Sequence, residues 1–176
     1  QLRKILAYSS IAHLGWMIMI LQFAPNLTLL ALIIYIIMTA TAFLTLKLNE
    51  ATTINTLTIS WAKSPLMMSI FPMLLLSLGG LPPLTGFLPK WLILQELTKQ
   101  GLPLTATLAA LTALLSLYFY LRLSYAMTLT VSPNNLTATP PWRFFLTHSK
   151  TPIAAPALLS IMLLPTAPAL SAILMP

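Results

Sequence analysis

Five times along this chain a run of apolar residues approaches or exceeds the roughly 20 needed to cross a hydrocarbon core, each run bounded by a short polar or charged stretch. The first extends from about Ile5 to Phe23 and stops before Pro25 and Asn26. The second extends from about Thr28 to Leu46, ahead of Lys47 and Asn49. The third covers Leu66 to Leu97, the fourth Leu102 to Leu121, and the fifth, with prolines at 152, 156, 165 and 168, Ile153 to Leu174. Polar residues 49–55 lead through a loop to Lys63, with a short interfacial turn near Trp61. The longest non-apolar stretch, residues 127–150, contains Pro133, Asn134, Asn135, Pro140 and Pro141 and is a second loop, with an amphipathic turn around Trp142 to Leu146. The pattern predicts an all-α polytopic membrane protein of about five transmembrane helices, forming one domain over residues 1–176.

The third run is too long to be one straight helix. Its 32 residues would extend about 48 Å at 1.5 Å each, against a hydrocarbon core of about 30 Å. Three of the five glycines, Gly79, Gly80 and Gly86, fall within eight residues of it. Pro82 and Pro83 remove amide donors and disfavour helix before them, so the first half-helix ends near Leu78. Pro89 is tolerated only in a first turn, which starts the second half near Gly86 or Phe87 and sets Lys90 just beyond that turn. Carbonyls freed at the end of the first half favour an ammonium, whereas the amides opening the second oppose it. Burial adds a cost to the charge, so Lys90 is a candidate for proton exchange. A break kept for packing, with Lys90 snorkelling toward the interface near Lys99, is the alternative.

Composition sharpens the class. Hydrophobic residues make up 58% and charged residues 6%, which is integral-membrane composition. The net charge of +7 comes from basic residues scattered between apolar runs, so no nucleic-acid surface is expected. With no cysteine there is neither a disulfide framework nor a thiolate for an iron-sulfur cluster. Arg3 and Lys4 before an apolar run suggest a signal peptide, but no small-residue cleavage site follows, and the run contains Tyr8, Ser9, Ser10 and His13. Starting at Gln1, the chain reads as beginning mid-protein.

With five crossings, one side of the membrane collects Arg3, Lys4, Lys47, Lys63, Arg122, Arg143 and Lys150, and the other only Lys99. The positive-inside rule makes the first side cytoplasmic, or the matrix of a mitochondrion, and puts the C-terminus opposite. The sequons at Asn26 and Asn135 then face opposite sides and cannot both be glycosylated. Lys4, Lys47 and Arg122 are read as helix-end residues. Glu96 and Lys99, at i and i+3, form a helix-end pair. His148 is read as solvated, and the methionines as packing.

His13 lies nine residues, about 13 Å of rise, beyond Lys4, near the middle of the bilayer. Ser9, one turn earlier, is positioned to hold one ring nitrogen while the other meets water or a partner. Two readings stay open: a proton relay, or a neutral imidazole bonded to a neighbouring helix.

Residues 2–16, LRKILAYSSIAHLGW, and 76–91, LSLGGLPPLTGFLPKW, resemble the subunit 2 family of mitochondrial NADH-ubiquinone oxidoreductase, the antiporter-like membrane subunits of respiratory complex I. The resemblance continues through residues 115–123, LSLYFYLRL, and the proline-rich last run. It implies the C-terminal part of a longer antiporter-like subunit in the mitochondrial inner membrane, with the 127–150 loop on the matrix side and the C-terminus on the intermembrane-space side. Lys90 matches the family's broken-helix lysine, and His13 the histidine of its SSI-x-H stretch, both implied to transfer protons. The implied partners are the lipid bilayer and other membrane subunits of complex I, neighbouring antiporter-like subunits among them. No cofactor is implied in this chain: NADH, flavin, iron-sulfur clusters and ubiquinone would bind other subunits, and redox chemistry would occur there.

The function expected is thus a core membrane subunit of a proton-translocating NADH:ubiquinone reductase. A subunit of a cation/proton antiporter, distinguishable by ion-dependent transport, is one rival. A purely structural membrane subunit, in which loss of Lys90 harms assembly before activity, is the other.

Overall fold

The computed structural model describes residues 1–49, 51–60, 65–130, 157 and 160. Among these the chain is helical, with α1 Leu2–Leu21, α2 Pro25–Leu48, α3 Ile54–Ile59, α4 Pro65–Gly79, α5 Phe87–Lys99 and α6 Pro103–Leu129. Helices α1, α2 and α6 are long and apolar enough to cross a membrane. By the same rise per residue, α4 and α5 measure about 22 and 20 Å, so neither crosses alone.

Local chemistry explains most boundaries. Pro25 and Pro103 open α2 and α6, where a missing amide proton costs nothing. Hydroxyls within the apolar helices bond back to carbonyls three or four residues earlier: Ser9 to Leu6, Thr41 to Met38, Thr45 to Ala42 and Ser124 to Leu121. Such bonds let serine and threonine sit in apolar surroundings without an unpaired donor. Helix α3 is opened by a reciprocal pair in which Thr53 and Thr56 cap one another's amides.

Packing sorts the side chains into two clusters at opposite ends of the bundle. One joins Leu2 and Leu6 of α1, Leu46 of α2, Leu57 of α3, Met68 and Phe71 of α4, and Leu123 and Met127 of α6. The other joins Trp16 and Ile20 of α1, Leu27 of α2, Ile93 and Leu97 of α5, and Ala106 and Ala109 of α6. Successive long helices therefore run up and down, while α4 starts at one end and α5 finishes at the other. Between α4 and α5 the chain is broken over residues 80–86, where the glycine and proline spacing predicts a break.

The end of α6 differs from the sequence-based expectation. Helix α6 continues to Leu129, so Met127 to Leu129 are helical rather than loop, and exposed Arg122 stands seven residues inside the helix rather than at its end. Polar residues near the end of α6 hide this continuation, because Ser124 and Thr128 satisfy their hydroxyls on the helix itself. The loop predicted over residues 131–150, the turn predicted near Trp61, Glu50, Lys63, Arg143, His148 and most of the fifth run lie outside the described residues.

Candidate functional site

Helix α4 ends in a Schellman motif, a six-residue closure made possible by Gly80. That glycine has φ +87°, where L side chains are strained. Gly80 N–H donates to the Ser77 carbonyl at 2.9 Å and Leu81 N–H to the Leu76 carbonyl at 3.3 Å. Two of the last four carbonyls are thereby satisfied, leaving those of Leu78 and Gly79. Lys90 takes both, its Nζ donating to Gly79 at 2.8 Å and to Leu78 at 3.3 Å. Across the break, an ammonium on α5 caps the negative end of α4.

The fit around this lysine is close. Lys90 is 9% exposed, and its stem lies over Gly80, where an added Cβ would come within 3.0 Å of Cδ and 3.1 Å of Nζ. Gly80→Ala should therefore cost about 1–2 kcal/mol in left-handed strain alone and also displace the ammonium. The measurement is the midpoint of thermal unfolding of the assembled protein, which should fall. Pro82 and Pro83 are exposed on the outside of the break, where having no N–H they leave no donor unpaired. Pro89 falls in the first turn of α5.

A second set of polar groups, not singled out from the sequence, fixes the other side of the break. The Ser77 hydroxyl lies 3.0 Å from the Ser160 carbonyl and 3.2 Å from Met38 Sδ, and it accepts from Gly86 N–H at 3.4 Å. The Thr85 hydroxyl also donates to the Ser160 carbonyl. All three of Ser77, Thr85 and Ser160 are at most 1% exposed. Replacing Ser77 by alanine leaves the buried Gly86 N–H without its acceptor and should cost about 1–3 kcal/mol, read as a lower unfolding midpoint; an unchanged midpoint would deny the clasp any weight. The sequence signal was present in the polar residues Ser77 and Thr85 flanking the break, but their partner Ser160 is 75 residues beyond Thr85.

His13 and Lys90 line one small cavity of about 10 Å³, whose wall also includes Trp16, Tyr35, Met38 and Pro89. That is room for about one water. The His13 ring packs on that of Tyr35, with centroids 5.0 Å apart. The expected partnership of Ser9 with His13 is not what forms. The Ser9 hydroxyl donates to the Leu6 carbonyl of its own helix at 2.7 Å. Ser9 is buried and bonded within α1, while His13 faces α2 and α5. Tyr35 did not stand out in the sequence, where a tyrosine in an apolar run looks like packing. Glu96 and Lys99 pair at 3.6 Å on an exposed helix end, as their spacing predicts.

The site thus brings together one capped ammonium, one imidazole and one water-sized cavity, joining groups from α1, α2, α4 and α5. Chemically it can hold a proton on Lys90 and offer it a polar neighbour. Among the described residues no group of three or more metal-ligating side chains exists.

Comparison with known proteins gives two family matches. Residues 1–116 match the family described as NADH:quinone oxidoreductase/Mrp antiporter, TM, and residues 117–171 that described as NADH dehydrogenase subunit 2 C-terminus. The chain is 68% identical over 174 residues to NADH-ubiquinone oxidoreductase chain 2 of Salmo salar, covering 99% of this chain and 50% of that protein. The protein of the same name from Gadus morhua is likewise 68% identical over 174 residues, with 99% and 50% covered. That from Tetraodon nigroviridis is 70% identical over 168 residues, with 96% and 48% covered. The chain spans about half the length of the curated relatives it matches.

Proposed function

The chain belongs to the NADH:quinone oxidoreductase/Mrp antiporter transmembrane family, and on that premise we propose that it serves as a core membrane subunit of a proton-translocating NADH-ubiquinone oxidoreductase. In this reading it is the C-terminal part of a longer antiporter-like subunit of the mitochondrial inner membrane, with its C-terminus facing the intermembrane space. It packs against other membrane subunits of the complex. NADH, flavin, iron-sulfur clusters and ubiquinone bind elsewhere in the assembly. The match of residues 117–171 to a subunit 2 C-terminus favours this reading over a cation/proton antiporter.

The observation that carries the mechanism is the pairing of Lys90 with the last two free carbonyls of α4. An ammonium has three N–H donors and an amine two. Lys90 can therefore release one proton and still satisfy both carbonyls, so exchange leaves no buried acceptor orphaned. The released proton enters the cavity shared with His13, while the attraction between charge and helix end changes with it. Proton exchange and the position of the broken helix are thereby coupled through one side chain. His13 is the relay on the cavity's other wall.

The test uses the assembled complex carrying Lys90→Ala. NADH-driven proton uptake and ubiquinone reduction are measured at equal assembly. Both should fall; normal values of both would remove Lys90 from the pathway. His13→Gln should lower proton uptake less than the lysine variant does, and intact uptake would leave His13 a packing residue. Transport that required sodium or potassium rather than electron transfer would point to the antiporter reading.

A further inference from the structure

One apolar side chain touches both polar sets at the break. Met38 of α2 lines the cavity shared by Lys90 and His13. Its sulfur lies 3.2 Å from the Ser77 hydroxyl and 3.8 Å from that of Thr85. Its methyl end reaches the contact between α4 and α5, 3.5 Å from where a Cβ on Gly86 would stand. At 2% exposure the side chain is enclosed by protein.

We propose that Met38 gates proton exchange at Lys90, its thioether separating the Lys90 and His13 cavity from the Ser77 and Thr85 hydroxyls when closed and admitting water between them when it swings aside. Movement is cheap for three reasons. The side chain is unbranched and has three rotatable bonds. A thioether is a weak acceptor, so little is lost when it leaves the hydroxyls. Both hydroxyls also reach the Ser160 carbonyl, Ser77 at 3.0 Å, and a carbonyl oxygen has two lone pairs, so neither is left without an acceptor. In the closed state the cavity of about 10 Å³ has room for about one water, too little to link Lys90 to the hydroxyl pair. With the thioether displaced, the vacated space adjoins two groups that both donate and accept, as proton transfer through water requires. The methyl contact at Gly86 ties the gate to the break, because Gly86 opens the helix that carries Lys90.

This inference rests on the reading that Lys90 exchanges protons, and the experiment separates the two. The measurement is deuterium exchange at the Lys90 ammonium in the assembled resting complex, read from infrared bands of isotope-labelled lysine that are missing in Lys90→Arg. Met38→Ala removes the thioether. Met38→Ile keeps its approximate volume, but the β-branch holds χ1 largely in one rotamer. For a gate open about 1–10% of the time, alanine should speed exchange about ten- to a hundredfold and lower the protons taken up per ubiquinone reduced. Isoleucine should slow both exchange and NADH-driven uptake at equal assembly. Lost packing alone would not move the two variants in opposite directions. If the alanine variant does not assemble, isoleucine decides alone: slower exchange supports the gate, and unchanged or faster exchange overturns it. Equal exchange in wild type and both variants would also overturn it, as would a change in the same direction in both. Lys90→Arg is assayed for uptake alongside. If it pumps poorly while exchange ignores Met38, only the gate falls; if it pumps normally, the lysine reading falls and takes the gate with it.

Discussion

Gly86→Ala is expected to prevent stable assembly. The residue opens α5 at the point where the chain turns back on α4, and a Cβ there would collide with the carbonyl oxygen and carbon of Ser77. Those are backbone atoms already committed, since the Ser77 carbonyl accepts from Gly80 in the closure of α4. Neither partner can rotate aside as a flexible side chain would. Relief requires α5 to move away from α4, which stretches the Gly86 N–H bond to Ser77 and draws Lys90 off both carbonyls it caps. Overpacking a side chain costs about 1–3 kcal/mol; against fixed backbone we expect about 3 kcal/mol or more, enough to deplete a marginally stable fold. Immunodetection of the assembled complex after native electrophoresis should show little of it. Normal assembly would mean that the two half-helices are not packed as closely as described. By contrast Gly79→Ala meets Tyr120 only at ordinary contact distance and should assemble.

Lys90→Arg should give the opposite phenotype, assembly with little proton transfer. Arginine keeps a positive charge and several donors for the Leu78 and Gly79 carbonyls, so the end of α4 stays capped. What it loses is the ability to give up a proton, since a guanidinium does not deprotonate in proteins. If Lys90 served only as a cap, arginine would be a tolerable substitute and pumping would persist. Lys90→Ala behaves differently, because two buried carbonyls lose their donor at about 1–3 kcal/mol each. The vacated volume adjoins the existing cavity and leaves room for water to offset part of that cost. Ranked by assembly, arginine should exceed alanine; ranked by proton uptake, both should fail.

How much of this was legible beforehand differs between elements. The long apolar helices followed from run length, and the break followed from the crowding of Gly79, Gly80, Pro82, Pro83 and Gly86, because each of those residues has a backbone consequence independent of its neighbours. The start of α5 at Phe87 followed from Pro89, which only a first turn accepts. Lys90 was visible as a cation in an apolar run, but which carbonyls it meets was not, since that depends on the Schellman closure consuming two of the four. Ser9 was assigned to His13 by helical spacing, which specifies a shared face and not a partner; the Leu6 carbonyl of the same helix took the bond instead. The end of α6 was misplaced because polarity was read as loop where the hydroxyls are satisfied within the helix. Contacts made between elements distant in sequence, such as Ser77 with Ser160, have no local signature at all.

The most direct test of the central claim is the infrared difference spectrum of the assembled complex between resting and turning-over states, recorded with isotope-labelled lysine in wild type and in Lys90→Arg. Proton exchange at Lys90 predicts an ammonium band that changes during turnover in the wild type and is missing from the variant. An identical set of lysine bands in both would contradict it, and would leave Lys90 as a permanent cap on the broken helix.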